Sequence, residues 1–336
     1  MPAILTHDFF GRDLIAAPHI QDSSNTQTGQ TQEACQFLAQ LCQNQAELDA
    51  FLLGNQGPDP LFYLQLNYKY RALNKLGSLM HDDKVEEQLY AFIQAQTKLL
   101  TSFEQGVARA YIAGFLAHYT LDSTVHPLVY FWQYALTSAG VEGLDASQEW
   151  PVHSHIETEF DTVLLSRKFH ATIEEYKPYE QVLRGSKQTL AVIDKLYKAL
   201  EETVFDCAIP HNLFTQALHS FRRIQRLLYA PSDDKRAFIA SLEESLRAQS
   251  LYKALSHPCK LMHESIFSCE DGLAWQHPYA HTQHHSSFFD LYDEALSKYP
   301  SNLAFLLDVL KGHKALCASS FRALTKGLDF SGKARF

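Results

Sequence analysis

The sequence has few residues that interrupt helices and no long apolar run. It contains 14 Gly and 12 Pro among 336 residues, and no segment shows the sustained alternation of apolar and polar residues that is typical of a strand. No apolar run approaches the roughly 18 residues that a membrane-spanning helix needs. The amino terminus also lacks the basic and apolar segments of a secretory signal. We therefore expect a helix-rich, cytoplasmic protein.

Paired cysteines and excess positive charge are also lacking. The six cysteines include no Cys-x-x-Cys pair, which predicts buried free thiols in a reducing compartment. Lys and Arg number 29 against 38 Asp and Glu, and the resulting net charge of -9 argues against a nucleic acid held by a large basic surface. Histidine, by contrast, occurs 17 times. This high count is the first indication of metal chemistry.

The most informative stretch is Ala-His-Tyr-Thr-Leu-Asp-Ser-Thr-Val-His-Pro at 117–127. The apolar residues at 107–116 predict a buried helix that runs into it. On a helix His118, Asp122 and His126 lie at i, i+4 and i+8 and share one face. The two histidines then lie roughly 12 Å apart along the axis, too far to bind one ion through bonds of about 2 Å.

This spacing suggests a carboxylate between two metal ions, with one histidine reaching each ion. The alternative is a solvated helix face that carries three polar residues. Pro127 disfavours helical geometry at His126, so we expect the helix to end or kink there.

Two further candidates precede this helix. Pro58 and Pro60 bracket Asp59 and fix its backbone, which suits a carboxylate that must be aimed, although an ordinary turn aspartate is the alternative. His81 is followed by Asp82 and Asp83, and we expect a helix from about 80 to 100 to begin there.

A later segment offers two His-x-x-x-Glu pairs, His153 with Glu157 and His155 with Glu159. The first pair lies nearer the apolar stripe that includes Ile156. We therefore favour His153 and Glu157 for an inward-facing metal site. The tract at 275–285 is rich in histidine and aromatic residues, and it suits the rim of an active site, a metal-binding tract or a polar loop. Because it lacks helical spacing, we leave it out of the ligand set.

The predicted organisation is one all-α domain over 1–336, a multi-helix bundle around a dinuclear or trinuclear metal centre. The core of the metal site is expected at about 1–165, and further helices at about 166–336. Further helices are predicted at 32–53, 189–204, 212–228, 235–250 and 301–324.

The candidate residues resemble those of the bacterial zinc-dependent phospholipases C, which are more distantly related to single-strand nucleases with the same trinuclear zinc centre. The resemblance is carried by His7, Gly57-Pro58-Asp59, His81, His118-x-x-x-Asp122 with His126, and His153-x-x-x-Glu157. It covers about 1–165. The carboxy-terminal half is similar only through Trp275 and the helix start at 286–292.

The resemblance implies a ligand set for two or three zinc ions. Asp59, His81, His118 and Asp122 would hold one zinc, and His126, His153 and Glu157 a second. A third would take His7 and Asp122, with the amino and carbonyl groups of an amino-terminal Trp in the secreted enzymes. This sequence has no Trp at its start, and its spacing from Asp122 to His126 is shorter than theirs.

The sequence thus predicts a zinc-dependent phosphodiester hydrolase, most like phospholipase C, that uses a metal-activated water. Asp59 is expected to orient or deprotonate that water, or to act only as a ligand. The expected partner is a phospholipid or another phosphodiester, with transient contact to a membrane surface and no stable nucleic-acid complex. The alternatives are a single-strand nuclease of the same fold and a non-catalytic, metal-containing lipid-binding protein.

Overall fold

Helices form almost all of the regular structure. The computed structural model describes residues 4–16, 29–140, 144–229, 232–244 and 256–335. Within these ranges the only sheet is a two-stranded antiparallel ladder of β1 (Trp275–Gln276) and β2 (Gln283–His284), in which Trp275 lies opposite His284. The predicted all-α class is confirmed.

In chain order the α-helices of the described residues are α1 (Ile4–Ala16), α2 (Gly29–Leu41), α3 (Gln45–Gly54), α4 (Lys75–Asp82), α5 (Val85–Thr97), α6 (Ser102–Thr137), α7 (Glu149–Phe169), α8 (Ile173–Tyr176), α9 (Pro178–Gln181), α10 (Lys187–Thr203), α11 (Leu213–Leu228), α12 (Asp233–Glu244), α13 (Phe288–Leu310) and α14 (Ala318–Thr325). Short 3-10 helices are Asp59–Leu66, Arg71–Asn74, Ala146–Gln148 and Ile266–Ser268. Within the described ranges no helix is long and apolar enough to cross a membrane.

The chain folds into two compact units. The first comprises Met1–Thr6, Val125–Val182 and Arg222–Tyr292, and the second comprises His7–Thr124, Leu183–Phe221 and Asp293–Phe336. In the core of the first unit, Phe160 stacks on Phe288 with ring centroids 4.1 Å apart. In the second, Tyr111 meets Phe92 and Phe214 edge to face. That residues 1–336 form one domain stays a prediction.

Two glycines bring α3 and α6 into close contact in the second unit. A Cβ added to Gly54 would lie 2.3 Å from the carbonyl oxygen of Tyr111, and one added to Gly114 would lie 2.1 Å from that of Phe51. No side chain fits at either position. The end of α3, and the turn that follows it, are therefore held against the middle of α6.

The helix predicted at 32–53 is wrong, because the structure has two helices there. The Asn44 side chain accepts hydrogen bonds from the amides of Ala46 and Glu47, and this cap starts α3 after a break. The helix predicted at about 80–100 is also wrong at its start. His81 belongs to the last turn of α4, and Lys84 has a left-handed φ of 56° that separates α4 from α5.

Two predictions about prolines and helix ends also need correction. α6 does not end at Pro127 but continues to Thr137, and the alternative of a kink at this proline stays a prediction. Leu128 and Val129 are buried, and their packing offsets the one backbone hydrogen bond that proline removes. The helix predicted at 301–324 is two helices, α13 and α14, since Gly312 with φ 76° ends the first.

Three other helix predictions agree more closely with the observed helix bounds. Those at 189–204 and 212–228 match α10 and α11 within two residues. The prediction at 235–250 matches α12 as far as Glu244, and its remainder lies outside the described residues. The cysteines are free, as predicted, but only Cys269 is buried and Cys42 is exposed.

Candidate metal sites

Five of the predicted ligands meet in the second unit. They come from four elements and are His7 on α1, Asp59 at the start of a 3-10 helix, His81 at the end of α4, and His118 and Asp122 on α6. We call them the five-residue group. Ligand atoms of His7, Asp59 and His118 lie within 4.8 Å of one another, and so do those of His81, His118 and Asp122. The sequence separates these residues by up to 115 positions, and the fold brings them together.

The two carboxylates lie between the histidine rings. Asp122 Oδ2 lies 3.0 Å from His118 Nε2, and its Oδ1 lies 3.3 Å from His7 Nε2. Asp59 Oδ1 lies 3.1 Å from His81 Nε2. Each oxygen of Asp122 thus faces a different histidine, the geometry of a carboxylate that can bridge two cations.

Asp59 is aimed by the turn that follows α3. Gly57 has φ 51°, and a Cβ there would lie 2.3 Å from Cδ2 of His118, so only glycine fits. The Gly57 carbonyl accepts a hydrogen bond of 3.1 Å from the Tyr197 hydroxyl, which lies 2.9 Å from that of Tyr111. Burial raises the pKa of Tyr197, so its hydroxyl stays protonated and able to donate.

The backbone fixes two of the histidine rings. His81 Nδ1 lies 2.8 Å from the Gly77 carbonyl, and His118 Nδ1 lies 3.0 Å from the Asn55 carbonyl. Because a carbonyl oxygen can only accept, each Nδ1 carries the hydrogen and each Nε2 presents its lone pair. Both lone pairs face carboxylate oxygens. Such facing lone pairs repel one another unless a proton or a metal cation lies between them.

The burial of the two carboxylates also indicates that a positive charge lies among these side chains. Asp59 and Asp122 are 1% and 3% exposed, and buried carboxylates need a compensating positive charge. Asp59 Oδ2 and His118 Nε2 make no hydrogen bond to any described residue. Burial by itself lowers the pKa of His81, but the hydrogen bond and charge of Asp59 outweigh it and raise that pKa. A donor set of imidazole nitrogens and carboxylate oxygens fits zinc or a similar divalent ion.

The carboxy-terminal segment supplies a neighbour that the sequence did not reveal. Phe330 is fully buried, its ring centroid lies 5.0 Å from that of His81 and 5.5 Å from that of His118, and its amide donates to the His81 carbonyl. Glu86 holds this segment by bonding Thr325 and Arg335. A lone phenylalanine more than 200 residues from the motif at 117–127 gives no sequence signal.

We predict that Phe330→Ala weakens zinc binding by about 10- to 100-fold, the usual effect of losing a group that orients ligands. It should also cost about 3–5 kcal/mol of folding free energy, as for other buried phenylalanines. Competition with a chelating dye measures the affinity of the folded protein. Phe321→Ala is the matched control, since Phe321 is buried in α14 and should lose stability without losing zinc affinity. Equal zinc affinity in the two variants would contradict the prediction.

Three further predicted ligands meet in the first unit. His126 on α6 and His153 on α7 each place Nε2 3.3 Å from Oε1 of Glu157. His153 Nδ1 donates to the Gln133 side-chain oxygen at 2.8 Å, so either a proton or a metal cation must lie between its Nε2 and the Glu157 carboxylate. Burial alone would raise the pKa of Glu157, but the charge of His153 and the hydrogen bonds to both histidines lower it. We call these residues the three-residue group.

The alternative pair lies elsewhere. His155 is 41% exposed, and its Nε2 lies 3.4 Å from Oε1 of Glu159. Glu159 also accepts a hydrogen bond from Ser265. Among the described residues this pair joins no third candidate ligand, whereas His153 and Glu157 join His126.

The histidine-rich tract at 275–285 also lies in the first unit. Tyr130 contacts both the His153 ring and Tyr279, with centroids 5.1 and 5.9 Å apart. Among the described residues, no histidine of the tract at 275–285 belongs to a possible metal-binding group.

The start of α1 is capped from within the first unit. Asp161 accepts hydrogen bonds from the amides of Leu5 and Thr6 and from the Thr6 hydroxyl, and His257 Nε2 lies 2.9 Å from its Oδ2. This cap holds the first turn of the helix that carries His7. The first three residues lie outside the described ones.

Comparison with known protein families gives a match. The sequence model of a protein family described as zinc-dependent phospholipase C matches residues 17–207, more than half of the chain. This stretch contains every candidate ligand except His7. It begins later and extends further than the predicted resemblance over 1–165. No curated protein and no solved structure matches the chain.

Proposed function

Because the chain belongs to the zinc-dependent phospholipase C family, we propose that it hydrolyses the phosphodiester of a phospholipid on the glycerol side, releasing diacylglycerol and the phosphorylated head group. The observation that carries this proposal recurs at His81, His118 and His153. In each, an oxygen acceptor fixes Nδ1 while Nε2 faces a buried carboxylate. Histidines that ligate metals in proteins are held in the same way.

We assign the zinc ligands by group, for two or three ions in all. In the five-residue group, Asp59, His81, His118 and Asp122 would hold one zinc, and His7 with Asp122 would contribute to another. In the three-residue group, His126, His153 and Glu157 would hold one zinc.

Divalent ions at such positions stabilise the charge that develops on a phosphodiester and lower the pKa of water. The protein would contribute the proton acceptor. Asp59 presents Oδ1 to His81, while its Oδ2 makes no hydrogen bond to a described residue. This oxygen lies 3.8 Å from His7 Nε2, and a water held between the metal ions and Asp59 would be oriented and deprotonated by it.

The direct test is hydrolysis by the zinc-loaded protein, with metal content measured on the same preparation. The substrates are p-nitrophenyl phosphocholine, vesicles of phosphatidylcholine, and single-stranded DNA. We expect hydrolysis of the two choline substrates and its loss on chelation, with recovery when zinc is restored.

The same experiment separates the alternatives. Cleavage of DNA without cleavage of either choline substrate would favour a nuclease. Full zinc occupancy without hydrolysis of a wider panel of phosphodiesters would overturn the enzyme proposal and favour a metal-containing binding protein.

A further inference from the structure

A polar cavity in the second unit takes no part in the proposed reaction. Its volume is about 740 Å³, within the range of about 300–1,000 Å³ that is usual for small-ligand sites. Five of the residues that line it are glutamines: Gln32, Gln36 and Gln40 on α2, Gln96 on α5, and Gln105 on α6. Those on α2 lie at i, i+4 and i+8 and so share one helix face.

Gln96 gives the inner wall of the cavity a polar group. It is 8% exposed, lines the cavity, and its side chain makes no hydrogen bond within the described residues. Its carboxamide is therefore left to bond with what occupies the cavity, water or a ligand. Its carboxamide can both donate and accept, which matches a hydroxyl group.

Arg109 adds one uncompensated positive charge. Arg109 is an exposed residue that lines the cavity, and its guanidinium has no ion pair or hydrogen bond with the part of the chain that the structure describes. The other charged groups at the cavity, Glu33 and Lys311, form an ion pair with each other. The local charge therefore favours a ligand with an anionic group.

We propose that this cavity binds a polyol phosphate, a small molecule with several hydroxyl groups and one phosphate. The glutamines would bond the hydroxyls, and Arg109 would hold the phosphate with two parallel hydrogen bonds. Arg109 and His118 are nine residues apart on α6, roughly 14 Å along its axis. The cavity is thus separate from the five-residue group. The polyol phosphate is either free in solution or the head group of a lipid.

The test is isothermal titration calorimetry of the full-length, zinc-loaded protein with inositol 1-phosphate, myo-inositol and inorganic phosphate. We expect Arg109→Gln to weaken inositol 1-phosphate binding at one site by at least about tenfold. Binding of myo-inositol should be unchanged in this variant. Arg223→Gln is the matched control, because Arg223 is exposed on α11 and lies outside the cavity.

Three results would overturn the proposal: no binding of inositol 1-phosphate by wild type, equal binding by Arg109→Gln, or an equal loss in Arg223→Gln. Co-sedimentation with phosphatidylinositol vesicles shows whether the polyol phosphate is free in solution or is the head group of a lipid. A lipid head group as ligand predicts weaker sedimentation of Arg109→Gln, and a free polyol phosphate predicts unchanged sedimentation beside weaker calorimetric binding.

Discussion

Replacing Asp122 by asparagine should remove most of the bound zinc and nearly all phosphodiesterase activity. The two oxygens of Asp122 face different histidines, at 3.3 Å from His7 and 3.0 Å from His118. Asparagine keeps the shape but has no negative charge, and its amide NH₂ presents hydrogens where a cation must bind. Both zinc positions proposed for the five-residue group therefore lose a charged ligand in one substitution.

Zinc per chain, measured by elemental analysis after gel filtration, checks this prediction beside hydrolysis of p-nitrophenyl phosphocholine. Asp194→Asn is the matched control. Asp194 is also buried in the second unit, but it bonds Thr215 rather than a histidine. We expect that variant to be less stable with its zinc retained. Normal zinc content in Asp122→Asn would show that Asp122 does not hold the ions.

Local sequence patterns predicted the helices well where one face is apolar along its whole length. α10 and α11 were predicted within two residues. The errors occurred where a single residue decides the backbone. Asn44 starts a new helix through its side chain, and Lys84 and Gly312 adopt positive φ. Propensity over a window cannot detect such single-residue breaks.

The candidate ligands could be named from spacing and resemblance, because residues that share a helix face keep their relation wherever the helix lies. His118 with Asp122 and His153 with Glu157 are such i, i+4 pairs. The residues that hold these ligands in position could not be predicted from spacing or resemblance. Tyr197 and Phe330 touch the site through tertiary packing alone, and neither belongs to a local pattern.

The position of Gln133 follows in part from the sequence, but its role does not. It lies seven residues beyond His126 on α6, about two turns along the same face, and its side chain holds His153. Helical spacing puts Gln133 on the face of α6 that carries His126, but the structure is needed to show that it orients His153.

Asp59→Asn should separate catalysis from metal binding. If Asp59 chiefly accepts the proton of the attacking water, turnover should fall by about 10²–10⁴, the usual effect of losing a positioned base. Zinc should be largely retained, since His7, His81, His118 and Asp122 remain in the five-residue group. The structural reason is that Asp59 Oδ2 makes no hydrogen bond to a described residue, and an asparagine amide at that position cannot accept a proton.

The measurement is kcat and KM for p-nitrophenyl phosphocholine across pH, with zinc content determined at each pH. A base role predicts a lower kcat, little change in KM, and loss of the acidic limb of the pH profile. Loss of zinc in proportion to the loss of activity, as expected for Asp122→Asn, would instead identify Asp59 as a ligand only. The two aspartates are similarly buried in one group, so each variant serves as the control for the other.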